Sequence, residues 1–131
     1  MSLWLNRALI VTPTPYTLQT TNAGYQKVLD LMGVPEEVRS DFIMGAGATT
    51  HRYCNDNVDG LIVCIAPNKN VTKIQIYALL THEAVHIWQY IKKDMGETNP
   101  SKEFEAYSIQ MISQNLIEEY EKQSAPKKKV K

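Results

Sequence analysis

The apolar positions change period along the chain, and each change marks an element. Between Asn22 and Met32, residues Tyr25, Val28, Leu29 and Met32 recur at helical spacing and Gly33 stops the run, which predicts a short helix with Asn22 as its N-cap. Pro35-Glu36-Glu37 opens a second short helix, because proline suits a first turn and carboxylates suit the positive end of the helix dipole; Val38, Phe42 and Ile43 form its apolar side. After Gly45-Ala46-Gly47 the pattern becomes that of strands. Thr49 to Cys54 is β-branched and aromatic, Leu61 to Ile65 is continuously apolar, and turn formers ending in Asp59-Gly60 lie between them, which predicts a β-hairpin over about 48–66. Helical spacing returns over about 72–92, where Thr72 and Gln75 have capping-box spacing and Ile74, Leu80, Ile87, Trp88 and Ile91 form the packing side. Past Gly96, Asn99 as N-cap and Pro100 at the first helical position begin a last helix over about 100–121, with Ile109, Ile112 and Leu116 on one face. Residues 1–21 read as a strand or arm held extended by Pro13 and Pro15. The expected class is α+β: a small antiparallel sheet packed on two long helices, with two short helices before it.

Composition narrows this picture more than it extends it. A chain of 131 residues makes one domain, taken as 1–121, and the lysine-rich stretch 122–131 reads as a disordered, solvated tail. Lysine plus arginine number 14 and aspartate plus glutamate 14, so the charge balance implies neither a nucleic-acid nor a membrane partner, the tail lysines notwithstanding. The apolar run Trp4 to Val11 is broken by Asn6 and Arg7, and is read as neither a signal peptide nor a span. Cys54 and Cys64 are too few for a disulfide scaffold, so the expected compartment is the cytoplasm; a turn at Val58-Asp59-Gly60 would set the two cysteines opposite each other. Asn55 to Gly60 lacks the length and terminal glutamate of an EF-hand loop and is read as a plain turn. Oligomeric state is not legible.

Candidate chemistry concentrates in His82-Glu83-Ala84-Val85-His86. At about 100° per residue, two histidines four apart lie one turn apart on one helix face, and can take two corners of a tetrahedral zinc site. Glu83, directly after the first histidine, is placed to act as general base toward a water at an open metal position. The chain holds three histidines in all, so the bland alternative is two surface side chains at this spacing by coincidence. A catalytic zinc takes a third protein ligand. No histidine follows His86 and Lys92 stands where the metzincin pattern needs one, which excludes that branch. On the last helix, stepping back four from Ile109 lands on Glu105, a carboxylate in line with a core-facing stripe and therefore in need of a partner. Glu103, in contrast, lines up with Tyr107, Gln110 and Gln114 on a more polar face.

With Glu105-Ala106-Tyr107-Ser108, similar to the E-A-x-S string around a third ligand, these residues resemble the gluzincin branch of zinc metallopeptidases, of which thermolysin is the familiar member. The resemblance covers about 72–114 and the strand pair before it. It implies a zincin-like fold, Zn2+ held by His82, His86 and Glu105, Glu83 as general base, and hydrolysis of peptide or protein substrates, in a small form of the kind found in bacteria and phages. Two departures accompany it: Ile109 stands where thermolysin-type members have an aspartate that orients the first histidine, a task left to Gln89 or Gln110, and the large second subdomain that walls the cleft is missing. For the oxyanion donor the candidates are His51, Tyr53 and Tyr107, of which His51 and Tyr107 are carried forward. The strand over 49–53, if it is a free edge beside the site, can hold an extended peptide by strand addition. A zinc-binding module without activity is the alternative. A third ligand from Cys54 or Cys64 would resemble a peptide deformylase, but Arg52-Tyr53-Cys54-Asn55 does not match that family's glycine-rich cysteine segment.

Overall fold

A computed structural model describes residues 4–5, 14–45, 47–55 and 58–125. Most of the expected N-terminal arm, Ala46, Asp56, Asn57 and the lysine tail from 126 onward lie outside them. The elements run β1 (Tyr16–Gln19), α1 (Asn22–Met32), a single 3-10 turn (Glu36–Val38), β2 (Ala48–Cys54), β3 (Asp59–Ile65), α2 (Lys73–Asp94) and α3 (Lys102–Ser124).

The class is α+β, as expected, but the sheet is mixed. β2 and β3 form the antiparallel hairpin, and β1 joins β3 in parallel on its other side, giving the order β1-β3-β2 with β2 at an edge. β1 falls in the stretch read as a strand or arm, but its limits and its parallel pairing were not expected, because Tyr16–Gln19 has only four residues, too few to show a period. The hairpin turn also sits earlier than expected. Asp59 and Gly60 belong to β3, the chain reverses between Asn55 and Val58, and the register sets Cys54 against Asp59 and Cys64 against Thr49. The cysteines therefore do not face each other, and both are free.

Alternation along β3 buries both faces of the sheet. Leu61, Val63 and Ile65 join Tyr16 and Leu18 against Ile76, Leu80, Ala84, Ile87, Trp88 and Ile91 of α2 and Ile112, Leu116 and Tyr120 of α3. Ile62 and Cys64 face the other way, onto Tyr25, Val28 and Leu29 of α1. This explains the continuous apolar run, which belongs to a strand covered on both faces.

The helix limits follow local chemistry. Thr72 caps α2 through a reciprocal capping box with Gln75, as the spacing predicted. Thr21, one residue before the expected cap, closes the start of α1, and Gly33 ends it in the left-handed region at φ 73°. Ser101 rather than Asn99 caps α3, which moves Pro100 out of the helix. Two expectations fail. The second short helix is only a 3-10 turn with Val38 on the surface, and Ile74, in the first turn of α2, is 79 % exposed because the buried stripe begins at Ile76.

Leu80 is fully enclosed where the sheet, α2 and α3 meet. Leu80→Ala is expected to destabilise the chain by about 2–5 kcal/mol, read as a lower urea midpoint with an unchanged slope.

Candidate metal and acid–base site

The rotation of α2 is set by its apolar stripe. Ile76, Leu80, Ala84, Ile87 and Ile91 face the sheet and α3. At about 100° per residue, His82 and His86 then lie about 140° round the helix from the centre of that stripe, while Glu83 lies only about 60° from it. Both histidines are accordingly exposed, and Glu83, at 4 % exposure, is buried.

The two histidine rings converge. Their centroids are 4.8 Å apart at 75°, and Nε2 of His82 stands 3.1 Å from Nε2 of His86. Two imidazoles sharing a tetrahedral zinc at ordinary bond lengths have their nitrogens about 3.3 Å apart, so the pair fits one ion. Gln89 Oε1 lies 3.1 Å from His86 Nδ1. A neutral His86 that donates Nδ1–H to Gln89 presents a bare lone pair at Nε2, as a metal ligand must. Gln89 is one of the two outer residues expected from the sequence, although it holds the second histidine rather than the first.

Glu83 points from α2 beneath the edge strand, where the Thr50 hydroxyl donates to its Oε2. The histidines, Glu83, Tyr90 and the strand residues Ala48, Thr49 and Thr50 line one cleft of about 320 Å³. Its floor is helix and its rim is the outer side of β2, which among the described residues pairs with no further strand, the free-edge condition set by the sequence. Tyr90, four residues beyond His86, carries the Arg52 guanidinium 5.4 Å from its ring centroid, and Arg52 is tied in turn to Asp94 at 3.0 Å.

Glu105 does not join the histidines. Trp88 Nε1–H donates to its Oε2 at 2.8 Å, and Lys92 Nζ stands 3.6 Å from the same oxygen. Trp88 and Lys92 lie about 120° round α2 from the histidine face, on the side that α3 covers. The partner that Glu105 needed is an indole N–H and an ammonium. Among the described residues no three His, Cys, Asp or Glu side chains stand close enough together to hold an ion. The Trp88 hydrogen bond, with Lys92 behind it, keeps the Glu105 carboxyl below its ordinary pKa against an opposing effect of burial.

The expected oxyanion donors are also elsewhere. His51, at 6 % exposure, lies on the α1 side of the sheet, stacked 4.9 Å from Tyr25, with Nε2 2.9 Å from the Phe42 carbonyl. Tyr53 shares that face, its hydroxyl 2.5 Å from that of Tyr25 and accepting from Ser40 N–H at 2.9 Å. Strand alternation turns the Thr50 side chain toward Glu83 and that of His51 to the opposite face. Tyr107 is 64 % exposed on α3 and does not line the cleft. Cys54 is exposed at the hairpin end and Cys64 is buried on the α1 side, where burial pushes its thiol pKa up, so neither approaches the histidines. Ala48 and Tyr90 are cleft residues that sequence reasoning missed, and Thr50 entered it only as part of the 49–53 strand, with no role for its side chain. Tyr90 was findable at i+4 from His86; Thr50 had no signal of its own.

Comparison with protein-family models, with curated proteins and with solved structures finds no match to this chain. No helix among the described residues is long and apolar enough to cross a membrane.

A carboxyl whose pKa is lowered on folding contributes stability above its unfolded pKa, and that contribution is lost as pH falls through the folded one. Glu105→Gln is therefore expected to be less stable than the parent chain at pH 7. The gap should close as pH drops below about 4, where the parent carboxyl protonates, in urea unfolding at a series of pH values.

Proposed function

We propose that the chain is a zinc-dependent peptidase of reduced gluzincin type, with a zincin-like arrangement of edge strand and active-site helix. The observation that carries this reading is the convergence of the His82 and His86 Nε2 atoms at 3.1 Å on the cleft that also holds a buried carboxylate, Glu83. The donor set fits a cation in its two histidines, whereas Glu105 is engaged by Trp88 and Lys92. A bound zinc supplies an electrophile and a water of lowered pKa. The chain's own groups supply the rest. Glu83 takes the proton from the attacking water and passes it to the leaving amine, the role its place beside the histidines suits. Tyr90, which lines the cleft, takes the role of oxyanion donor in this reading in place of His51 and Tyr107, which do not.

The substrate class follows from the edge. Gly47 O accepts from Ala66 N–H, and Asn55 and Val58 exchange bonds at the other end of the hairpin. Antiparallel pairing alternates, so Thr49, His51 and Tyr53 bond inward to β3, and Ala48, Thr50 and Arg52 aim their N–H and C=O groups outward. An extended peptide laid along β2 finds those groups beside Glu83.

A second reading, a zinc-binding module without activity, is favoured by the engagement of Glu105 away from the histidines. Metal analysis and digestion of a peptide library separate the two. The parent chain is expected to bind zinc and cleave peptides, with cleavage abolished by a chelator. Glu83→Gln should keep the zinc and lose turnover, His82→Ala and His86→Ala should lose the zinc, and Glu105→Ala should keep it as the observed side-chain partners imply. Zinc without cleavage in the parent chain establishes the second reading, and unchanged cleavage by Glu83→Gln refutes the mechanism.

A further inference from the structure

Glu83 is a carboxylate with little access to water, and a buried carboxylate is tolerated only where hydrogen bonds replace the solvent it has lost. No lysine, arginine or histidine among the described residues forms an ion pair with it. Its hydrogen-bond partner is the Thr50 hydroxyl, donated across from β2 to α2. Thr50 occupies an unusual position for such a donor. Its side chain turns down to the helix, while its own backbone N–H and C=O belong to the outward set on the free edge. One residue thus touches the base with its side chain and presents hydrogen-bonding groups to whatever lies along the strand.

We infer that Thr50 is the positioning residue for Glu83, and that it ties the seating of an extended peptide on β2 to the placement of the carboxylate that serves it. This rests on the peptidase reading for its consequence, but the Thr50–Glu83 contact itself does not. A hydroxyl is required and a methyl is not. Serine keeps the function; valine, of nearly the same shape, removes the donor and leaves the carboxylate without its hydrogen bond.

Two measurements test this. In metal-free protein, urea unfolding is compared for Thr50→Val, Glu83→Leu and the double variant. Thr50→Val is expected to lower the folding equilibrium constant about 10-fold when Glu83 is present and less than about twofold in the Glu83→Leu background. Additive effects overturn the assignment. In zinc-loaded protein acting on a peptide mixture, Thr50→Val is expected to lower kcat roughly 10- to 100-fold with KM within about twofold, and Thr50→Ser to restore kcat. A loss in KM alone, or a Thr50→Ser variant as slow as Thr50→Val, overturns it too. Absence of cleavage by the parent chain refutes the functional reading instead, and leaves the folding cycle to judge the Thr50–Glu83 contact by itself.

Discussion

The contact between one face of the three-stranded sheet and the apolar stripe of α2 fixes everything else about the site. Leu61, Val63 and Ile65 meet Ile76, Leu80, Ala84, Ile87 and Ile91, and burying that surface leaves the helix one rotation. With the rotation set, the residues of His82-Glu83-Ala84-Val85-His86 divide by angle alone. The histidines go to solvent, Glu83 goes under the edge strand, and Ala84 goes into the core. A helix turned by one residue in one sense would carry both histidines into the core, and in the other sense would carry the carboxylate out to solvent, so the same packing that holds the fold distributes the chemistry.

The sheet adds the second constraint. β3 lies between β1 and β2 and is covered on both faces, which leaves β2 as an edge strand among the described residues, and it is the one that lines the cleft with the histidines. The pleat then assigns side chains by parity. Thr50 and Arg52 face α2, where one bonds Glu83 and the other braces Tyr90 through its ring and Asp94. His51 and Tyr53 face α1, where with Tyr25 they bond Ser40 and Phe42 and fasten the segment between the 3-10 turn and β2. That polar group on the far side is structural cement: burial, together with the neighbouring Tyr53, pushes the Tyr25 hydroxyl pKa up and keeps it a neutral donor.

Glu105 illustrates how a buried-leaning carboxylate can mislead. Its spacing from Ile109 correctly announced that it needs a partner, and the structure supplies Trp88 and Lys92. Sequence spacing states the need without stating which donor meets it, because indole, ammonium and metal ion all satisfy the same oxygen. Ile109 itself packs against the core, consistent with a position that serves the fold rather than an outer shell of a metal site.

By itself the sequence determined what depends on neighbours a few residues apart. The capping box of Thr72 and Gln75, the Gly33 stop, the two-histidine face of α2 and the core stripe Ile112 and Leu116 on α3 all rest on helical repeat and local hydrogen bonding, which are written into consecutive residues. Which face of β2 meets α2, that β1 pairs in parallel with β3, that Thr50 rather than His51 reaches the cleft, and that Glu105 turns to Trp88 were decided only by tertiary structure. A strand's alternation divides its side chains into two sets without saying which set faces the helix, and that choice is made when distant apolar surfaces find each other.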